Sequence, residues 1–86
     1  MTLTRMTFKL WLHKHRFQNL EPVNGYEVYQ SGLLIVGIDW KEKECVIFTY
    51  EQAKEGKIIP LQKIQRFTDA FSLVCMIEIY LDRRYV

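Results

Sequence analysis

Residues 26–50, YEVYQSGLLIVGIDWKEKECVIFTY, carry the decision about the fold. Apolar and polar side chains alternate there in short runs, the period-2 mark of a half-buried strand. Two breaks interrupt the alternation, at Gln30-Ser31-Gly32 and at Lys41-Glu42-Lys43. Read as three-residue hairpin loops, they divide the stretch into a three-stranded antiparallel meander, with Gly32 as the left-handed residue that such a loop takes. Tyr29 then pairs with Leu33, Val28 with Leu34 and Tyr26 with Val36. Beyond the second loop Trp40 faces Glu44, Ile38 faces Val46 and Val36 faces Phe48.

That register places Tyr26, Val28, Leu34, Val36, Ile38, Trp40, Val46, Phe48 and Tyr50 on one face. The other holds Glu27, Tyr29, Leu33, Ile35, Gly37, Asp39, Cys45, Ile47 and Thr49, which is too apolar to be left to water. A helix of this chain, a second copy or a protein partner must cover it. Tyr29, Leu33, Ile35 and Ile47 are therefore the candidate partner or dimer face, since aliphatic and aromatic anchors dominate interface energies. A one-residue slip at either turn would exchange the faces, and Lys43 is not a residue that favours left-handed backbone.

Upstream, Thr4 or Thr7 is placed to cap a helix running to about Phe17. At about 100° per residue, Phe8, Trp11, Leu12 and His15 form one apolar stripe and Met6, Leu10 and Phe17 a second. Arg5, Lys9, His13 and Arg16 cluster between them as a basic ridge. Residues 18–25 read as a connector, because Pro22 disfavours helix at Glu21 and Asn24-Gly25 is a turn signal.

Downstream, Thr49-Tyr50-Glu51-Gln52 fits a capping box and predicts a short helix that Gly56 stops. Pro60 can open the next helix. Leu61, Ile64, Phe67, Phe71, Val74, Ile77 and Leu81 recur at helical spacing, so residues 61–81 are expected as one long helix, bent where Thr68-Asp69 recaps it. Arg83 and Arg84 suit its C-terminus. Residues 72–81 also alternate like a fourth strand, and their length and Leu, Met, Ala and Glu content favour helix. Residues 71–81 are apolar nearly all round, which predicts burial on more than one side. The expected class is α+β: an N-terminal helix, a three-stranded antiparallel meander, a short helix and a long, bent C-terminal helix.

The 86 residues are 49% hydrophobic and 26% charged, a globular composition with room for a single domain over residues 1–86. Net charge is only +2, but residues 1–20 contain four basic side chains and no acid. The first residues lack the pattern of a signal peptide, and no apolar run is long enough to span a bilayer. With two cysteines in apolar runs, both expected reduced and buried, these features point to a cytoplasmic protein with no membrane contact.

Chemistry has few anchors. His13 and His15 are two apart, so on a helix they point about 200° apart and cannot share one ion; helical zinc sites use i, i+4 spacing. Cys45 and Cys75 have no flanking nucleophile signature, and Asp39 beside Trp40 is a lone carboxylate rather than an acid–base pair. Gly32 and Gly37 belong to a meander and imply no phosphate cradle. No catalytic residue, metal, cofactor or small-molecule substrate is expected.

The basic ridge suits an acidic patch on a protein partner or a nucleic-acid backbone, and Lys41 and Lys43 at a hairpin tip add two exposed cations. The order helix, three strands, helices at this length resembles that of small inhibitors encoded by phages and other mobile elements, including some anti-CRISPR proteins. That resemblance implies a stoichiometric regulator or inhibitor of a larger protein, such as a bacterial nuclease or CRISPR effector. The leading expectation is thus a non-enzymatic protein-binding domain, with a homodimer also open; the alternative is a small nucleic-acid-binding module using the first helix.

Overall fold

A computed structural model describes residues 5–52 and 55–81, with residues 51 and 52 as backbone only. The elements are α1 (Arg5–Lys14), β1 (Gln18–Val23), β2 (Tyr26–Ser31), β3 (Leu34–Asp39), β4 (Glu44–Gln52), β5 (Ile58–Arg66) and α2 (Ala70–Leu81). The strands form one antiparallel sheet in the order β1-β2-β3-β4-β5. The class is α+β as expected, but the three-stranded meander is corrected to five strands, and the short helix after Thr49 does not form.

Each added strand has a local reason. Asn24 and Gly25 both adopt positive φ, 51° and 85°. That is the type I′ geometry that closes a two-residue hairpin, so the residues before it are drawn into β1 and are not a connector. Pro22 sits where the pairing of β1 with β2 shifts register, at a bulge on an edge strand, the place where a missing N–H costs no ladder bond. On the other side, β4 runs on to Gln52 and exposes a long row of backbone donors and acceptors. Residues 58–66 satisfy that row in nine antiparallel pairs. Pairing overrides the helical spacing of Leu61, Ile64 and Phe67, because nine cross-strand pairs with β4 outweigh the few tenths of a kcal/mol by which helix and strand propensities differ.

The long C-terminal helix is therefore corrected to β5 followed by α2. The Thr68-Asp69 step is where the helix begins rather than where it bends. The Asp69 side chain accepts from the Ser72 N–H at 2.8 Å, and the Ser72 hydroxyl accepts from the Thr68 and Asp69 N–H groups at 3.2 and 3.3 Å. This is a reciprocal N-cap. Arg83, Arg84 and the Thr4 cap lie outside the described residues.

The register of the central strands is the second correction. Ser31 pairs with Leu34, so the first loop is the two residues Gly32-Leu33, with Gly32 at φ 61° in the first central position of a type II′ turn. Asp39 pairs with Glu44, which makes the second loop the four residues 40–43. Asp39 closes that loop by accepting from the Lys41 and Glu42 N–H groups at 3.0 and 3.1 Å, and Lys43 takes φ 53° despite its side chain. Each change displaces the pairing by an odd number of residues. Leu34, Val36 and Ile38 keep their expected common face, but Glu27, Tyr29 and Ser31 join them from β2, and Cys45, Ile47 and Thr49 from β4.

Both helices cover this mixed face. Phe8 and Leu12 of α1 and Leu73, Val74 and Ile77 of α2 pack with Leu34, Val36, Ile38, Cys45 and Ile47 in one buried cluster. The stripe of Phe8, Trp11, Leu12 and His15 faces inward, as its spacing implies. The second stripe divides: Met6 and Leu10 point to solvent, while Phe17 is buried. The chain turns sharply after α1, where the Phe17 N–H donates to Leu12 O at 2.9 Å and the Arg16 N–H to His13 O at 3.0 Å. This is a Schellman closure with Leu12 and Phe17 in the positions of its apolar contact. Arg16 occupies the left-handed position at φ 63°, where a Cβ costs about 1 kcal/mol. Arg16→Gly is expected to raise stability by about 0.5–1 kcal/mol, read as a higher urea midpoint at unchanged slope.

α2 is buried on one side only. Phe71, Cys75 and Ile79 face solvent, which corrects the expectation of burial on more than one side and of a buried Cys75. Neither helix is long and apolar enough to cross a membrane, among the described residues.

Candidate functional site

The face of the sheet opposite the helices has an apolar composition that exposure to water alone does not explain. Reading across the strands, one row is Leu20, Val28, Gly37, Val46 and Ile64. The next is Gln18, Gln30, Ile35, Phe48 and Gln62. Tyr50 and Pro60 follow on the two longest strands. None of these side chains is charged. The charges on this face, Asp39, Glu44 and Arg66, stand together at the end near the 40–43 turn.

Phe48 and Ile64 are 41% and 57% exposed, while Val46 between them is buried by its own neighbours. Two hollows flank the Ile35–Phe48–Gln62 row. One, of about 280 Å³, is lined by Tyr26, Val28, Gly37, Val46, Phe48 and Ile64. The other, of about 460 Å³, lies against Leu33, Ile35, Phe48, Tyr50, Pro60 and Gln62. Gly37 lies at the floor of the first hollow, under the Tyr26 side chain. A Cβ there would stand 3.5 Å from Tyr26 Cβ, so the tyrosine lies across the glycine and forms the hollow's wall.

The residues expected as a partner face are not brought together. Tyr29 and Ile47 lie in the core beneath the helices, Leu33 is exposed in the β2–β3 turn, and Ile35 is half-buried on the open face. The open face is instead built from residues such as Val46 and Phe48 that the pattern places inside. Hydrophobicity alone could not tell the two faces apart, since both are apolar; only the lengths of the two turns do.

The basic ridge is present but partly occupied. The Arg5 guanidinium pairs with the Glu27 carboxylate and lies 5.2 Å from the Trp40 ring centre, and Lys9 Nζ is 3.8 Å from the same carboxylate. The Tyr29 hydroxyl donates to Glu27 at 2.8 Å. Partial burial raises the Glu27 pKa, but the Tyr29 bond and the two cations outweigh it and leave the carboxyl below its ordinary value. Burial and Glu27 together push the Tyr29 phenol upward. His13 and Arg16 are exposed, as are Lys41 and Lys43 at the β3–β4 turn. The cluster around Glu27 thus joins α1 to β2.

A depressed carboxyl contributes stability that is complete above its unfolded value and is lost as pH falls through the folded one. Glu27→Gln should therefore lower the urea midpoint at pH 7, and the difference from the parent should shrink as pH falls below about 4.5. A difference that stays constant over that fall would refute the role.

The other chemistry-bearing residues are scattered. The Cys45 thiol is pushed up to about 12 by burial, which keeps it protonated, and Asp39 is engaged in its turn. No group of three or more metal-ligating side chains occurs among the described residues. Comparison with known protein families, curated proteins and solved structures found no match. The likeness to phage-encoded inhibitors rested on a helix, three strands and helices. The observed order has five strands, so that likeness carries no further argument.

Proposed function

We propose that this protein acts by binding another protein chain, as a non-catalytic module whose docking surface is the open face of its sheet. The observation that carries this reading is the uncharged, largely apolar pair of cross-strand rows running through Val28, Ile35, Val46, Phe48 and Ile64. An antiparallel sheet normally carries polar side chains on a face left to solvent. A contiguous apolar patch of this extent marks an interaction site. A stoichiometric regulator fits such a surface better than an enzyme does, because Cys45, Asp39 and the histidines are not assembled around any one hollow.

A photoreactive phenylalanine at position 48 tests the reading in living cells. Adducts to a protein are expected at position 48 and not at position 10 on the helix layer; none at position 48 would refute it. The nucleic-acid reading has less support, since the Glu27 carboxylate pairs with Arg5 and Lys9 and offsets part of the positive charge of the ridge. It requires binding to a DNA or RNA duplex that falls steeply with salt.

A further inference from the structure

We infer that the occupant of the open face is the same face of a second copy, giving a two-fold dimer in which two sheets pack face to face. This rests on the docking reading above and names the partner. Three properties of the face point to a copy of itself.

The first is charge. The rows through Val46 and Phe48 offer no ionic group for a charged partner to pair with, and their polar members are the amides Gln18, Gln30 and Gln62. An amide carries both donors and an acceptor, so it can pair with its own symmetry mate. A carboxylate or an ammonium group at the same place could not. Asp39, Glu44 and Arg66 are confined to one end, where a polar rim belongs.

The second is shape. Phe48 is 41% exposed on the face, and the hollow walled by Tyr26, Val28, Val46 and Ile64 lies beside it on the same surface. A knob and a hole on one face are what an isologous contact needs, since each copy then supplies Phe48 to the other's hollow. Sheets packed this way keep their strand directions within about 30° of each other and stand about 10 Å apart.

The third is size. With strands about 4.8 Å apart and a rise of about 3.4 Å per residue, five strands of six or more residues present roughly 24 by 20 Å. Side-chain relief brings this to the lower end of standard interfaces, which take about 600–800 Å² from each partner. Interfaces at that lower end are commonly weak and reversible, so the dimer is sought at micromolar concentration.

Sedimentation equilibrium of the purified chain decides the matter. At about 100 μM the expected mass is about 21 kDa, twice the 10.4 kDa of one chain, with dissociation on dilution to about 1 μM. Phe48→Lys and, separately, Ile64→Lys on the edge strand should each give the monomer mass at 100 μM with unchanged circular dichroism. Two substitutions are used so that a folding defect in one does not decide the result. Leu10→Lys, on the outer side of α1, should leave the dimer intact. A monomeric parent chain at 100 μM would overturn the inference, as would a dimer lost in Leu10→Lys and kept in Phe48→Lys. The crosslinks at position 48 report separately: adducts with another protein beside a monomeric chain would leave the docking reading standing and remove only the self-pairing.

Discussion

Replacement of Phe8 by alanine should cost about 3–5 kcal/mol, the range for emptying a buried aromatic site. A chain of 86 residues has about 4–13 kcal/mol of stability in all, so much of the variant should be unfolded at 37 °C. The size of the effect follows from what the ring holds together. Phe8 is fully buried, stacks on Trp11 at 5.9 Å and meets the Trp40 ring edge-on at 5.5 Å. Trp40 in turn stands edge-on to Phe67 at 5.6 Å. One side chain therefore links α1, the β3–β4 turn and the approach to α2. The cavity has little prospect of collapsing, because Trp40 is still held by the Phe67 ring and the Arg5 guanidinium once Phe8 is gone. Urea denaturation followed by tryptophan fluorescence measures the loss. A change under about 1 kcal/mol would mean that α1 is not seated on the sheet as described.

The second large effect separates two neighbouring residues. Ile47→Asn should unfold the protein, while Phe48→Asn should leave the isolated chain folded to within about 1 kcal/mol. Ile47 has no exposed surface and lies among the helices, so asparagine there both empties a site and buries an amide without partners. Phe48 points the other way and is 41% exposed. The register read from pattern alone assigns them the reverse roles, with Phe48 beside Leu34 and Val36. Thermal unfolding at about 1 μM, below the expected dimer range, distinguishes the two arrangements. Equal destabilisation by both substitutions would refute the register of β4 against β3.

These contrasts show where the sequence is readable. The inward stripe of α1 was legible from the helical spacing of Phe8, Trp11, Leu12 and His15, but spacing did not show that Met6 and Leu10 of the second stripe stay exposed. The membership of Leu34, Val36 and Ile38 in the core was legible from a clean alternation within a single strand. Asn24-Gly25 held more than was taken from it, since an I′ turn implies a strand on both sides and hence β1. Ser72 three residues after Asp69 is likewise a capping signal that opens a helix rather than bending one. The partner-face prediction could not have been sharpened by composition: Ile47, inside the core, is as hydrophobic as Ile35 and Phe48 on the open face.

By itself, then, the sequence determined the α+β class, the basic first helix and the presence of apolar side chains on both faces of the central strands. The tertiary structure alone decided which side chains share the face that the helices cover. Periodicity belongs to each strand separately, whereas a face belongs to neighbouring strands in register, and register depends on whether a turn closes with two, three or four residues. At Gly32 and at Lys43 that choice was made by backbone geometry and by pairing across the sheet. The same holds for residues 58–66, whose local spacing favours a helix until β4 lies alongside with a row of hydrogen-bonding groups to satisfy.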